Sequence, residues 1–204
     1  MRYLRSLLLS LAALTAIFGI ASLSTTYAHP SEQMPAAKPT AIPQPKKPLN
    51  PVRMRIDAIK LDRKLVSVGL DKERVPVVPD HDIGWYNLSS RPGQGENIVL
   101  WGHVLRFRQT PKLAAPFGKI DNLKIGDEVI LYDAKGNSYR YAITQQLQVT
   151  PDQVEYILPT GSERITMVSC YGSKVISNGE VVDMSHRRIT IAEPISSYAD
   201  GVAR

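Results

Sequence analysis

Beyond residue 52 apolar and polar residues mostly alternate with a period of two, the signature of half-buried β-strands. Met54 and Ile56 alternate with Arg53 and Arg55, and Val66, Val68 and Leu70 alternate with Ser67 and Gly69. Asn97 to Trp101 is a short run with no alternation, as expected of a strand buried on both faces. The turn Ile125-Gly126-Asp127 leads into a strand over Val129 to Tyr132. Asp133 to Asn137 then forms a loop, and Tyr139, Tyr141 and Ile143 alternate on the way back, which predicts a hairpin. Arg164 to Cys170 and Arg187 to Ala192 predict two further strands. The single helical signal is Phe117, Ile120 and Leu123, enough for one or two turns. Many short strands with little helix predict an all-β domain over 52–196, either a closed barrel or a sandwich.

The chain before that domain has a different pattern. Arg2 and Arg5 precede seventeen uncharged residues, Leu7 to Leu23. A basic start followed by an apolar stretch is the form of an export signal. As a helix of ~1.5 Å per residue it spans about 26 Å, slightly short of a ~30 Å hydrocarbon core. Thr26-Tyr27-Ala28 is an acceptable cleavage site, so residues 1–28 are read as a signal peptide or a retained membrane anchor helix. The arginines orient the remainder to the extracytoplasmic side. Seven of the 15 prolines fall between Pro30 and Pro51, which makes 29–51 a Pro-rich, semi-stiff tether. Residues 197–204 are a short C-terminal tail.

Composition narrows the function classes. The chain has 204 residues, 43% of them hydrophobic and 22% charged, a globular balance that excludes global disorder. The formal charge is +6, but without the N-terminal segment 23 basic side chains face 19 acidic ones. So small an excess, with no basic run interleaved with aromatics, does not point to nucleic acid. A single cysteine, Cys170, excludes an internal disulfide and a Cys-rich metal cluster. In an exported protein a lone thiol is either buried or reactive.

A reactive thiol attacks as thiolate, so it needs a base or cation nearby and a donor for the developing oxyanion. Of the four histidines, His29 is at the signal boundary, His81 is in a polar loop and His186 adjoins two arginines. His103 directly follows the buried strand, with Gly102 giving backbone freedom at the strand end. A strand end is a rigid mount, which makes His103 the candidate on position.

Three blocks resemble a known family. Gly102-His103, Thr166-Met167-Val168-Ser169-Cys170, and Arg187 followed by Arg188-Ile189-Thr190-Ile191-Ala192 are similar to the catalytic blocks of sortases, the cysteine transpeptidases that attach proteins to cell walls. Gly84-Trp85-Tyr86, Pro92-Gly93, Pro116-Phe117-Gly118 and Gly126-Asp127-Glu128-Val129 extend the likeness over about residues 52 to 195. The family usually has Thr-Leu-x-Thr-Cys; here Met167 and Ser169 depart from it while keeping size or hydroxyl.

The resemblance implies a closed eight-stranded barrel, with Cys170 as nucleophile, His103 as acid/base and Arg187 as oxyanion or carbonyl donor. It implies cleavage of a Leu-Pro-x-Thr-Gly-like signal through a thioester and transfer to a cell-wall or pilin amine. The implied partners are exported proteins bearing that signal, the amine acceptor, and the membrane through the N-terminal helix. No cofactor is expected and no metal ligand set is assigned. Along the last strand Arg187 shares a face with Ile189 and Ile191, whereas Arg188 aligns with Thr190 and is expected to meet solvent.

Other signals carry less. Leu158-Pro159-Thr160-Gly161 looks like a sorting fragment but lacks the variable residue and any apolar tail, so it reads as a turn. Asp80-His81-Asp82 has cation-binding residue types, yet three adjacent loop residues seldom converge on one ion. Arg106 and Arg108 read as a solvated basic edge rather than a phosphate site. An L,D-type transpeptidase requires a Ser-His-Gly run shortly before its cysteine, which is absent, and papain-like proteases place Cys ahead of His. The rival from another class is a non-catalytic exported β-barrel binding module in which Cys170 is buried for packing.

Overall fold

The computed structural model describes residues 48–195. The expected anchor segment, nearly all of the tether and the C-terminal tail lie outside the described residues.

Eight strands form one closed barrel in the order β1-β2-β3-β4-β7-β8-β6-β5. They are β1 (Pro51–Ile56), β2 (Leu61–Val68), β3 (Ile83–Tyr86), β4 (Asn97–Trp101), β5 (Glu128–Asp133), β6 (Ser138–Val149), β7 (Arg164–Ser177) and β8 (Glu180–Pro194). Pairing of β1 with β5 closes the barrel, which leaves no open sheet edge between the strands. The barrel settles the choice between barrel and sandwich. β2–β3 and β4–β7 are the parallel neighbours; the other pairs are antiparallel. Helical structure among the described residues is confined to 3₁₀ turns at Asp57–Ile59, Ile120–Asn122 and Val154–Ile157. The Phe117-Ile120-Leu123 spacing therefore produces a single tight turn, with all three side chains buried.

The interior is one apolar cluster to which every strand contributes, including Met54, Leu65, Trp85, Leu100, Leu131 and Met167. Two smaller clusters lie on the opposite faces of the strands. One gathers Val68, Val99 and Trp101 with Ile157 and Val168 packed against them; the other gathers Val149, Ile189 and Ile191 with Tyr156 and Val168. The segment between β6 and β7 thus covers part of the barrel's outer surface, and β4, β7 and β8 are buried on both faces there.

Outer clusters explain where the alternation misleads. Val66, Val68 and Leu70 do alternate, but they face outward: Val68 is covered and Val66 is exposed, while Leu61 and Leu65 of the same strand face the interior. Arg188 was expected in solvent and is not. Its side chain is 16% exposed, less than the 24% of Arg187, because the face opposite Ile189 and Ile191 turns toward the barrel rather than the solvent. There its Nε donates to Asp121 at 2.7 Å and its guanidinium stacks 3.9 Å above the Tyr171 ring.

Candidate active site

β4 and β7 run parallel in direct register from Asn97↔Arg164 to Trp101↔Val168, and the pairing persists one step further through Gly102 N–H donating to Val168 O. His103 lies two residues beyond Trp101, the last residue of β4, and Cys170 lies two residues beyond Val168, midway along β7, where its pairing with β4 has ended. The shared register, not the length of the strands, therefore delivers both groups to the same level of the barrel. Gly102 is needed here for close approach rather than for backbone freedom: a Cβ on it would lie 2.7 Å from Cδ2 of buried Phe117. Phe117 in turn donates its N–H to the carbonyl of His103 at 2.9 Å, which fixes the backbone at the histidine.

The His103 ring packs edge-on against Phe107, with centroids 5.1 Å apart. His81 packs against the same Phe107 ring at 5.4 Å, and its Nε2 is 3.2 Å from Thr110 Oγ1. Burial holds the His103 imidazole below its ordinary pKa; the Val78 carbonyl and Asp80 pull the other way. The Asp80-His81-Asp82 loop thus flanks the histidine, and no group of three His, Cys, Asp or Glu among the described residues is arranged to hold a metal ion.

Cys170 is half-buried and lies between two clefts. The larger, about 660 Å³, is lined by His103, the loop Val104 to Gln109, Cys170 and the β7–β8 hairpin. The smaller, about 470 Å³, is lined by Cys170, Tyr171, Ser173, Ser185, His186 and Asp121 among others. A sulfur shared by two open clefts is placed differently from one packed into a core. Among the described residues Cys170 and His103 make no hydrogen bond with each other. Burial pushes the thiol above its ordinary pKa, Arg187 draws it down, and Asp183 adds to the rise.

Arg187 is the direct register partner of Cys170 across β7 and β8. Its guanidinium is held on three sides: Nη1 donates to Met184 O at 3.0 Å and His186 O at 3.1 Å, and Nη2 to Asp183 Oδ2 at 3.1 Å. Nε has no partner among the described residues. The structure thus brings His103 and Cys170 to one cleft and sets Arg187 opposite the sulfur. Asp183 gave no signal in the sequence, since it is a single acid in a hairpin strand four residues before Arg187.

The remaining motifs have structural roles. Thr160 and Gly161, the end of the sorting-like fragment, donate their N–H groups to Glu96, and Gly161 has φ 73°, as a turn requires. Arg106 donates to Pro111 O, and Arg108 reaches Gly179 O at the hairpin tip.

A family model described as a sortase domain matches residues 54–195. Sortase A of Bacillus anthracis is 38% identical over 90 residues, which is 44% of this chain and 40% of that protein. The chain thus spans less than half the length of this curated relative. Among solved structures, the lid mutant of sortase A from Corynebacterium diphtheriae matches with a TM-score of 0.55 and 20% identity over 75% of this chain and 74% of that one. Sortase C1 from Streptococcus agalactiae matches at 0.54 and 23%, covering 71% and 66%, and sortase C-1 from Actinomyces oris at 0.53 and 20%, covering 72% and 75%. At these identities the structural likeness speaks for the fold.

Proposed function

Since the chain belongs to the sortase family, we propose that it is an extracytoplasmic cysteine transpeptidase in which Cys170, His103 and Arg187 carry the reaction. One observation supports this above the others: the single thiol lines a cleft with His103 while its cross-strand partner is a restrained arginine.

The cycle follows from the groups present. The Cys170 thiolate attacks the carbonyl carbon of the Thr–Gly bond in a Leu-Pro-x-Thr-Gly-like signal. Negative charge collects on the carbonyl oxygen, which accepts a hydrogen bond from an uncommitted N–H of Arg187. The C–N bond then breaks as the His103 imidazolium gives its proton to the departing glycine amine. What remains is a thioester on Cys170. An acceptor amine attacks this thioester, passes a proton to His103, and releases the joined product and the thiolate. The acceptor is an amine of a cell-wall precursor or of a pilin subunit, and the N-terminal segment holds the barrel at the outer membrane face.

Two clefts meeting at one sulfur favour this reading over the packing role, because a core cysteine has no need of either. Mass spectrometry of the protein after exposure to a mixed Leu-Pro-x-Thr-Gly peptide pool is the direct test. The expected result is an acyl adduct on Cys170 whose mass ends at the threonine; an unmodified Cys170 with every peptide removes the proposal.

A further inference from the structure

Arg187 cannot act beside a thiolate unless something fixes which of its N–H groups points where. An arginine side chain has many rotamers, and its donors lie in a planar fork, so a rotation redirects all of them together. Here both Nη1 hydrogens are directed at carbonyls, those of Met184 and His186. A carboxylate then fixes the second arm: Nη2 is 3.0 Å from Asp183 Oδ1 and 3.1 Å from Oδ2. With three of the five guanidinium hydrogens committed, Nε–H and one Nη2 hydrogen are left for a substrate oxygen.

Asp183 is itself restrained, since its Oδ1 accepts the N–H of Met184 at 2.7 Å. It also lines the cleft that holds His103 and Cys170. A carboxylate there has a second effect, because it opposes the guanidinium's field at the sulfur. The other charged or titratable groups facing Cys170 across the larger cleft are His103, Arg106 and Arg108 after β4, and Lys174 and Glu180 of the hairpin. Across the smaller cleft they are Asp121 and His186. Arg187 and Asp183 are the two whose charges act most on the thiol.

We propose that Asp183 is a positioning residue for the transpeptidation: it locks the guanidinium of Arg187 in one orientation beside Cys170, with Nε–H and one Nη2 hydrogen uncommitted, and its charge offsets that of Arg187 at the Cys170 sulfur. This rests on the cysteine reading given above. Asp183 touches neither the sulfur nor the substrate in this role and acts through Arg187.

The test uses the full 204-residue chain and two readouts. In transpeptidation of a Leu-Pro-x-Thr-Gly peptide, Asp183→Asn lowers kcat/KM roughly 10- to 100-fold, the scale of a misplaced catalytic group. Asp183→Glu recovers part of that loss, and Asp183→Asn added to Arg187→Ala lowers activity no further. In the second readout, iodoacetamide alkylation of Cys170 followed against pH, the midpoint moves to lower pH in Asp183→Asn because the opposing negative charge is gone. Since Cys170 is the sole cysteine, the signal is unambiguous. A kcat/KM within twofold of wild type, a further loss on the Arg187→Ala background, or a midpoint unmoved or shifted to higher pH overturns the proposal. Wild type that never turns over the peptide counts against the function reading instead, and the alkylation arm, which needs no substrate, still decides the role of Asp183. Should Asp183→Asn fail to fold, Asp183→Glu and Asp183→Ser are carried through the same two readouts.

Discussion

Glu96 and Glu163 each hold the loop that carries the other. Glu96 accepts the N–H groups of Thr160 and Gly161 at 2.7 Å each, and Glu163 accepts those of Gly93 and Gly95 at 3.0 and 2.9 Å. Glu96 immediately precedes β4 and Glu163 immediately precedes β7, and His103 and Cys170 follow the far end of the stretch over which these strands pair. The reciprocal clasp thus fixes the relative register of the two strands from the end opposite the candidate site. Glu163 also accepts the hydroxyl proton of buried Tyr141 at 2.6 Å, and burial and this bond push the tyrosine well above its ordinary pKa.

Removing one half of the clasp should destabilise the barrel. Glu163→Ala leaves a buried tyrosine hydroxyl without its acceptor, a loss of about 1–3 kcal/mol. A Tm decrease of roughly 3–8 °C is expected by calorimetry. The backbone donors from Thr160 and then Gly161 hold the Glu96 carboxyl below its ordinary pKa. Its folded value therefore lies under its unfolded one, so its stabilisation is in force above the ordinary carboxylate range and fades as pH falls through the folded value. Glu96→Gln should flatten the acid limb of the Tm-against-pH curve; an identical curve for the variant excludes this contribution.

Substitutions at the three proposed reacting groups should separate by role. Cys170→Ala is expected to remove turnover by about 1,000-fold or more, and His103→Ala to do nearly the same. Arg187→Ala leaves a trace, a loss of roughly 100- to 1,000-fold on the scale of one oxyanion donor. Chromatographic assay of peptide transfer to an added amine measures all three, and turnover by Cys170→Ala would dismiss the nucleophile.

The two pKa directions set the pH dependence. Burial lowers His103 and raises Cys170, so the gap between them widens and the neutral pair dominates. With ordinary values the thiolate–imidazolium form is about 1% of the enzyme, and the wider gap lowers that fraction. The kcat/KM profile should be a broad bell whose acid limb lies below the usual imidazole pKa and whose alkaline limb lies above the usual thiol pKa. Arg187→Ala should move the alkaline limb to still higher pH, as the lowering charge is lost. A rate still climbing above about pH 10 is incompatible with an essential imidazolium.

Gly172 lies two residues past the sulfur, at a break in the β7–β8 register, with φ 88°. An added Cβ would fall 2.5 Å from Ser185 Oγ and 3.0 Å from His186 Nδ1. Ser185 Oγ accepts the N–H of Ser173 at 2.9 Å and so helps hold this bulge together. Gly172→Ala combines a left-handed backbone cost of about 1–2 kcal/mol with this clash. It should reduce Tm by roughly 3–6 °C and also lower kcat/KM, because the bulge sets the path of β8 toward Arg187. A variant with wild-type Tm and activity would show that the bulge is not needed.

The sequence by itself determined most of the strands and the chemistry available to them, though four-residue β3 was too short to show a period. Asn97 to Trp101 is an observed strand end for end, the 129–143 hairpin is present, and the blocks around His103, Cys170 and Arg187 indicated, by their resemblance to sortases, which reaction to look for. These features are local: the side-chain period follows from the pleat, and the number of cysteines needs no coordinates. Tertiary structure decided which face of each strand counts as inside. Arg188 is buried against expectation because the β6–β7 segment covers Ile189 and Ile191 on the outer side of β8, and periodicity cannot distinguish two apolar surroundings; Val66 keeps the alternation yet its outward face is open to solvent. Contacts across the chain were equally invisible, such as Glu96 bonded to a loop 64 residues away or Glu163 to one 70 residues away. Such pairs depend on the closure of the barrel, and no run of neighbouring residues records it.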